Sequence, residues 1–179
     1  VSYDSRDSDI ELFICLVGAK SDGHNYAEKV YSTGTRVFVA CKKPTLPDDA
    51  VVIEVSDTRY ALAVISANLF GNPSRQLKII GVTGTKGKTS VTHMLKSILE
   101  ASGIKTGLIG TNGTFDGSVH AQTKNTTPES YELQRLFRAM LDNGCTYCVM
   151  EVSSQATKLN RVAGITFEAS VYTNIEPDH

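Results

Sequence analysis

Between Leu77 and Leu99 the chain writes three patterns in immediate succession, and few folds accept that order. Leu77-Lys78-Ile79-Ile80 is an apolar run that reads as a strand. The nine residues Gly81-Val82-Thr83-Gly84-Thr85-Lys86-Gly87-Lys88-Thr89 follow. Val91, Met94, Leu95, Ile98 and Leu99 then fall on one face of a helix, and Gly103 supplies its stop. A strand that turns through small residues into a helix aims backbone N–H groups and the positive helix end at one point, which makes a phosphate cradle. In such a loop Lys88 reaches the β- and γ-phosphates and the Thr89 hydroxyl sits on magnesium, so the expected ligand is a nucleoside triphosphate. The general pattern would place a glycine at Val82; the glycines here are Gly81, Gly84 and Gly87.

The rest of the chain alternates strand and helix. Phe13 to Val17, Arg36 to Cys41 and Val51 to Val55 read as strands. A helix is expected around Tyr26, Ala27, Val30 and Tyr31, ending at Gly34. A second runs from Asp57 to Phe70, with Leu62, Ile65, Ser66 and Leu69 inward. Asn72 to Gln76 reads as a linker, which sets expected domains at residues 1–74 and 75–179. Beyond the loop come a strand at Thr106 to Gly110, a hairpin around Phe115-Asp116-Gly117, and a helix opened by Pro128 with Leu133, Leu136, Phe137 and Met140 on its apolar face. Tyr147-Cys148-Val149-Met150 is continuously apolar, as in a strand covered on both faces, and Ser170 to Asn174 reads as one more strand. The expected fold is α/β: a small N-terminal α/β domain, then a P-loop domain with a parallel sheet whose ligands bind at the carboxyl ends of the strands.

Two further stretches hold candidate chemistry. Glu151 ends the buried strand on the same rim as the loop, where a carboxylate can hold Mg²⁺; a solvated strand-end Glu is the plainer alternative. Asn125-Thr126-Thr127-Pro128 fits two readings. One is a helix cap, with Thr126 to Glu129 at capping-box spacing; the other is a grip on an anionic or carbonyl-rich substrate. His24, His93 and His120 are expected to be solvated, and Cys145 and Cys148, spaced as C-x-x-C, to be buried thiols rather than a zinc or redox site.

The formal net charge of −1 gives no basic footprint for nucleic acid. No apolar run approaches the ~20 residues that span a bilayer. A cytoplasmic protein without membrane insertion is expected. The chain begins at Val1 without a Met and stops on Asp178-His179, so a longer parent protein is expected.

Taken together, the loop, Asp4-Ser5-Arg6, Asp22-Gly23-His24, Pro73-Ser74-Arg75-Gln76, Asn125-Thr126-Thr127-Pro128 and Glu151-Val152-Ser153-Ser154 resemble the Mur ligase family, in particular its tripeptide-forming branch. The resemblance implies an ATP-dependent amide ligase of peptidoglycan precursor synthesis. It would add a diamino acid, meso-diaminopimelate or L-lysine, to UDP-N-acetylmuramoyl-L-Ala-D-Glu through an acyl phosphate, as a monomer. By resemblance Gly84, Thr85, Lys86, Gly87, Lys88, Thr89 and Ser90 hold ATP, and Thr89, Glu151 and His179 contact Mg²⁺. Lys88, Glu151 and His179 form the catalytic set. Tyr3, Ser5, Ala19, Lys20 and Ser21 hold the uridine end, and Asn125, Thr126, Thr127, Ser153 and Arg161 the muramoyl peptide. Lys86, Gln155, Leu159 and Ile175-Glu176-Pro177 depart from the family pattern. The resemblance further implies a C-terminal continuation that selects the amino acid, without which the chain is inactive. A folylpolyglutamate-type ligase with another carboxylate substrate and a non-catalytic nucleotide-binding module are the alternatives. A guanine-reading Asn-Lys-x-Asp is absent from the sequence.

Overall fold

A computed structural model describes residues 1–18 and 21–176. Contacts divide the chain into two compact units, Val1–Leu62 and Ala63–His179.

The first unit is built on a parallel sheet of three strands, β1 (Leu12–Ile14), β2 (Val37–Ala40) and β3 (Val51–Glu54), in that spatial order. A 3-10 turn, Gly23–Tyr26, runs into the short helix α1 (Ala27–Ser32) between β1 and β2. Phe13 and Phe38 meet edge to face at 6.3 Å, and with Ile10, Cys15, Ala27, Val30 and Ala40 they make the core. His24 is a correction to the expected solvated side chain. Its ring is only 10% exposed, and it joins Asp22 Oδ1 at 2.5 Å through Nδ1 while Nε2 accepts the Cys41 N–H at 3.1 Å. Burial near a carboxylate and a backbone donor holds it where exposed spacing suggested water.

Helix α2 (Thr58–Leu69) crosses the division between the units. Its buried residues are Thr58, Leu62, Ala63, Ser66 and Ala67, whereas Leu69 is exposed. The inward face is thus turned from the expected one toward the small alanines, which let a helix approach its neighbours closely.

The second unit carries a six-stranded mixed sheet. Its strands are β4 (Lys78–Thr83), β5 (Thr106–Gly110), β6 (Gly113–Phe115), β7 (His120–Ala121), β8 (Tyr147–Glu151) and β9 (Ala169–Tyr172), ordered β7-β6-β5-β8-β4-β9. The four strands β5, β8, β4 and β9 run parallel, and β6 and β7 fold back antiparallel as the expected hairpin. His120, exposed as expected, lies in β7 and stacks on Phe115 at 4.4 Å. Residues 148 to 151 of β8 are all buried, as its unbroken apolar run requires of an interior strand.

Helices α3 (Lys88–Ala101) and α4 (Ser130–Asp142) supply most of the cover. Leu133, Phe137 and Met140 of α4 join Ile79, Ile109, Cys148 and Met150 in one core, as their spacing predicts. In α3 the expected stripe is rotated: Thr92 is buried while Met94 and Ile98 stand 62% and 63% exposed. Thr92 lies on the face that meets β5 and β8, with Leu95 and Leu99 partly buried, so the flank carrying Met94 and Ile98 is turned away from the sheet. Pro128 precedes α4 by two residues and Glu129 is its cap, without a side-chain capping bond. The capping-box reading of Thr126 fails because Thr126 and Thr127 are both engaged by tertiary partners. A short helix, α5 (Ser154–Lys158), follows β8.

Candidate functional site

Parallel strands end on one rim. Val82 of β4 lies opposite Glu151 of β8, so the loop that leaves β4 and the carboxylate that ends β8 emerge side by side. A cavity of about 480 Å³ opens there, lined by Gly84, Thr85, Lys88, Thr126, Ser153 and Asn174 among others. The structure thus brings together residues from three separate candidate stretches, the phosphate loop, the Asn-Thr-Thr-Pro segment and the double serine.

The loop approaches its neighbours so closely that a side chain at Gly84 has no room. Gly84 has φ +136°, and a Cβ there would overlap the Thr173 hydroxyl and lie 2.8 Å from the Asn174 carbonyl oxygen. Gly87, at φ +83°, caps α3, and the amides of Lys88, Thr89 and Ser90 in the first turn have no helical carbonyl ahead of them. Lys88 Nζ folds onto the loop, donating to the carbonyls of Gly84 at 2.5 Å and Thr85 at 3.1 Å. The two departures Lys86 and Glu176 are partners, joined at 3.2 Å across exposed side chains.

Glu151 lies 1% exposed beneath this rim. Its Oε1 accepts the Thr111 N–H at 2.9 Å and its Oε2 the Thr111 hydroxyl at 3.2 Å. Gly110 makes the space, since a Cβ there would overlap Oε1 and stand 3.1 Å from the carboxyl carbon. The Thr111 hydroxyl also meets that of Thr126 at 3.0 Å. A solvated strand-end Glu is therefore excluded by its burial. Magnesium takes hard oxygen ligands, keeps several waters and is commonly held by one or two carboxylates plus substrate phosphates. The hydroxyl of Thr89 and the carboxylate of Glu151 suit that chemistry. No group of three His, Cys, Asp or Glu gathers among the described residues. His179 lies outside the described residues.

Around Thr127 the segment is tied down inside the fold. Its hydroxyl donates to Glu151 O at 2.9 Å and accepts from Ser153 N–H at 3.1 Å. Ser153 in turn caps α5 through Ala156 N–H at 3.2 Å. Arg161, its side chain 10% exposed, pairs with Glu129 at 2.8 Å and donates to Thr127 O at 3.0 Å. Asn125 is exposed beside them.

The uridine candidates belong to the first unit. Tyr3 and Ser5 are partly exposed on a segment bridged to β1 through Ser2 and Phe13. Ser21 is exposed, and its carbonyl accepts Gly18 N–H at 2.8 Å. Ala19 and Lys20 lie outside the described residues. His24 fixes the strand-like return at Asp22, and the hydrogen bonds from the His24 amide and ring hold the Asp22 carboxyl below the usual carboxylate range.

Sequence reasoning missed Thr111, Asn174 and His24. Thr111 and Asn174 are short polar residues beside strand ends, and the only signal was position: Thr111 directly follows Gly110 at the rim, and Asn174 follows β9, whereas His24 sits in the 3-10 turn before α1.

Known proteins resemble this chain in sequence and in fold. The Mur ligase middle domain matches residues 82–179. A UDP-N-acetylmuramoyl-L-alanyl-D-glutamate–2,6-diaminopimelate ligase of Clostridium botulinum is 48% identical over the whole chain, which covers 38% of that relative. The enzyme of the same name from Bacillus licheniformis is 43% identical, again over the whole chain and 36% of the relative. A solved structure of such a diaminopimelate ligase superposes with a TM-score of 0.80 over 99% of this chain and 36% of the other, at 24% identity. The MurF ligase of Thermotoga maritima, solved with ADP, follows at 0.56 and 20% identity, over 86% of this chain and 31% of the other; both likenesses speak to the fold. The chain spans under two fifths of the length of these relatives. The matched domain takes in more than half of the 179 residues, and the chain belongs to the Mur ligase family.

Proposed function

We propose that this chain is the N-terminal portion of an ATP-dependent amide ligase that adds a diamino acid to UDP-N-acetylmuramoyl-L-Ala-D-Glu. The observation that carries the reading is the cavity where Lys88, Thr126 and Ser153 converge above the buried Glu151. The names of relatives 43% to 48% identical support diaminopimelate as the amino acid, with L-lysine the alternative. Residues 1–74 serve as the UDP-anchoring domain and 75–179 as the first part of the ATP-binding domain.

Phosphorylation of the substrate carboxylate asks the protein mainly for positioning and charge neutralisation. Gly84 to Ser90 cradle the triphosphate, with Lys88 leaving its loop carbonyls to meet the β- and γ-phosphates. Thr89 and Glu151, with His179, would hold Mg²⁺, which when bound would offset the negative charge of the phosphates. Asn125, Thr126, Thr127, Ser153 and Arg161 bring the substrate carboxylate to the cavity. The amine then attacks the acyl phosphate and phosphate departs. Tyr3, Ser5, Ala19, Lys20 and Ser21 anchor the uridine end. The enzyme works as a cytoplasmic monomer; no described helix is long and apolar enough to cross a membrane.

The test is release of ADP and phosphate by the full-length protein, with a panel of amino acids as acceptors. Turnover is expected only when the muramoyl dipeptide and a diamino acid are both supplied. Hydrolysis indifferent to the muramoyl substrate would overturn the ligase reading, and binding of ATP without any turnover would favour a non-catalytic module.

A further inference from the structure

The phosphate loop is held by more than its own strand and helix. The segment leaving β9 runs alongside it, and Asn174 engages Lys86 with both ends of its side-chain amide. Lys86 N–H donates to Oδ1 at 3.0 Å, and Nδ2 donates to Lys86 O at 3.2 Å. The Thr173 hydroxyl reaches the same carbonyl at 2.6 Å. Thr85 N–H donates to Asn174 O at 3.2 Å, and the Thr85 hydroxyl both donates to Glu176 O at 3.2 Å and accepts Glu176 N–H at 3.1 Å. Two loop amides, those of Thr85 and Lys86, are thus taken up by this brace.

We propose that Asn174 is a positioning residue that sets the phosphate loop in its nucleotide-receiving shape. The inference rests on the nucleotide reading above and adds to it a residue outside the loop. A carboxamide is the side chain that offers an acceptor and a donor side by side, which is what the N–H and C=O of a single residue, Lys86, demand here; the pattern of partners also settles which end is oxygen. An aspartate of the same shape would set an oxygen against the Lys86 carbonyl. A loop already fixed before the ligand arrives loses less freedom on binding, so the benefit of the brace falls on nucleotide affinity. The first-turn amides of α3, together with Lys88, are left to meet the phosphates.

The experiment titrates full-length protein with ADP and ATP and follows amide exchange at Lys86 without nucleotide. Asn174→Ala is expected to weaken ADP binding about tenfold, in the range of two lost hydrogen bonds, and to speed exchange at Lys86. The KM for ATP should rise while the KM for the muramoyl substrate stays within about twofold, a split that general loosening of the fold would not produce. Asn174→Asp should do at least as much harm despite its matched shape, and it carries the test if the alanine variant fails to fold. Folded variants with wild-type ADP affinity and slow Lys86 exchange would overturn the proposal. A wild-type protein that binds neither ADP nor ATP would instead overturn the nucleotide reading, and the exchange at Lys86 would still decide whether Asn174 fixes the loop.

Discussion

Thr111 holds Glu151 by two separate groups, its backbone amide at 2.9 Å and its hydroxyl at 3.2 Å. The same hydroxyl meets Thr126, so the buried carboxylate and the Asn-Thr-Thr-Pro segment share one joint. Partners that orient a metal-binding carboxylate matter about as much as a tenfold to hundredfold change in metal affinity or activity. Thr111→Val keeps the amide and removes the hydroxyl. It should raise the Mg²⁺ concentration needed for half-maximal ADP release by about tenfold, with Thr111→Ser close to wild type. A valine variant with an unchanged Mg²⁺ titration would show that the hydroxyl does not orient Glu151.

Lys88 donates to loop carbonyls of Gly84 and Thr85. Its removal should therefore cost chemistry more than fold. Lys88→Ala is expected to lower ligation at least about a hundredfold, as loss of a preorganised charge does, while thermal unfolding moves little. Activity within a few-fold of wild type would contradict the assigned role.

Gly84 and Gly34 both have positive φ, +136° and +111°, yet only Gly84 is crowded. A side chain at Gly34 meets nothing within 4 Å, so Gly34→Ala should cost about 1–2 kcal/mol of backbone strain alone. Gly84→Ala adds overlap with Thr173 and Asn174 and should lower the melting temperature further and abolish nucleotide binding. Equal melting shifts for the two variants would refute the close approach.

The four cysteines differ in access. Burial pushes the Cys15 thiol up to about 12 and those of Cys145 and Cys148 upward as well, whereas Cys41 is half-buried. Alkylation of the native protein at pH 8, mapped by mass spectrometry, should modify Cys41 first. Early labelling of Cys148 would mean that β8 is less enclosed than described.

The lowered pKa of Asp22 means that its stabilising contribution is present above the unfolded carboxyl value and is lost as pH falls through the lower folded one. Asp22→Asn should therefore lower stability at neutral pH, with the gap to wild type closing in acid below about pH 4. A gap that stays constant across that window would separate the effect from ionisation.

The strand, loop and helix around Lys88 were legible because each has a local cause: period, glycine and cap. Thr106 to Gly110 and the apolar face of α4 were legible for the same reason. The roles of single polar residues were not. Thr126 carries the spacing of a helix cap, but a tertiary hydroxyl at Thr111 competes for it and wins. Gly81, which distinguishes the loop pattern, belongs to β4, where the Phe167 ring packs 2.8 Å from where its Cβ would stand. Its partner lies far along the chain, and no local pattern announces that. The rotated face of α3 has the same origin, since periodicity fixes a stripe of apolar residues but the sheet chooses the face it accepts. Lys86 and Glu176 each stand out as a departure when read singly; only their proximity makes them a pair.

The placement of β4 also has a consequence for how the protein is made. Both neighbours of this strand, β8 and β9, are translated after it, with the loop and two long helices in between. On the ribosome, Ile79, Ile80 and Val82 must wait uncovered while the intervening residues emerge, and the loop waits longer still for the segment that carries Asn174. With the brace proposed at Asn174, the nucleotide cradle would be complete only after β9 has docked, which would make ligand protection a late event in biosynthesis.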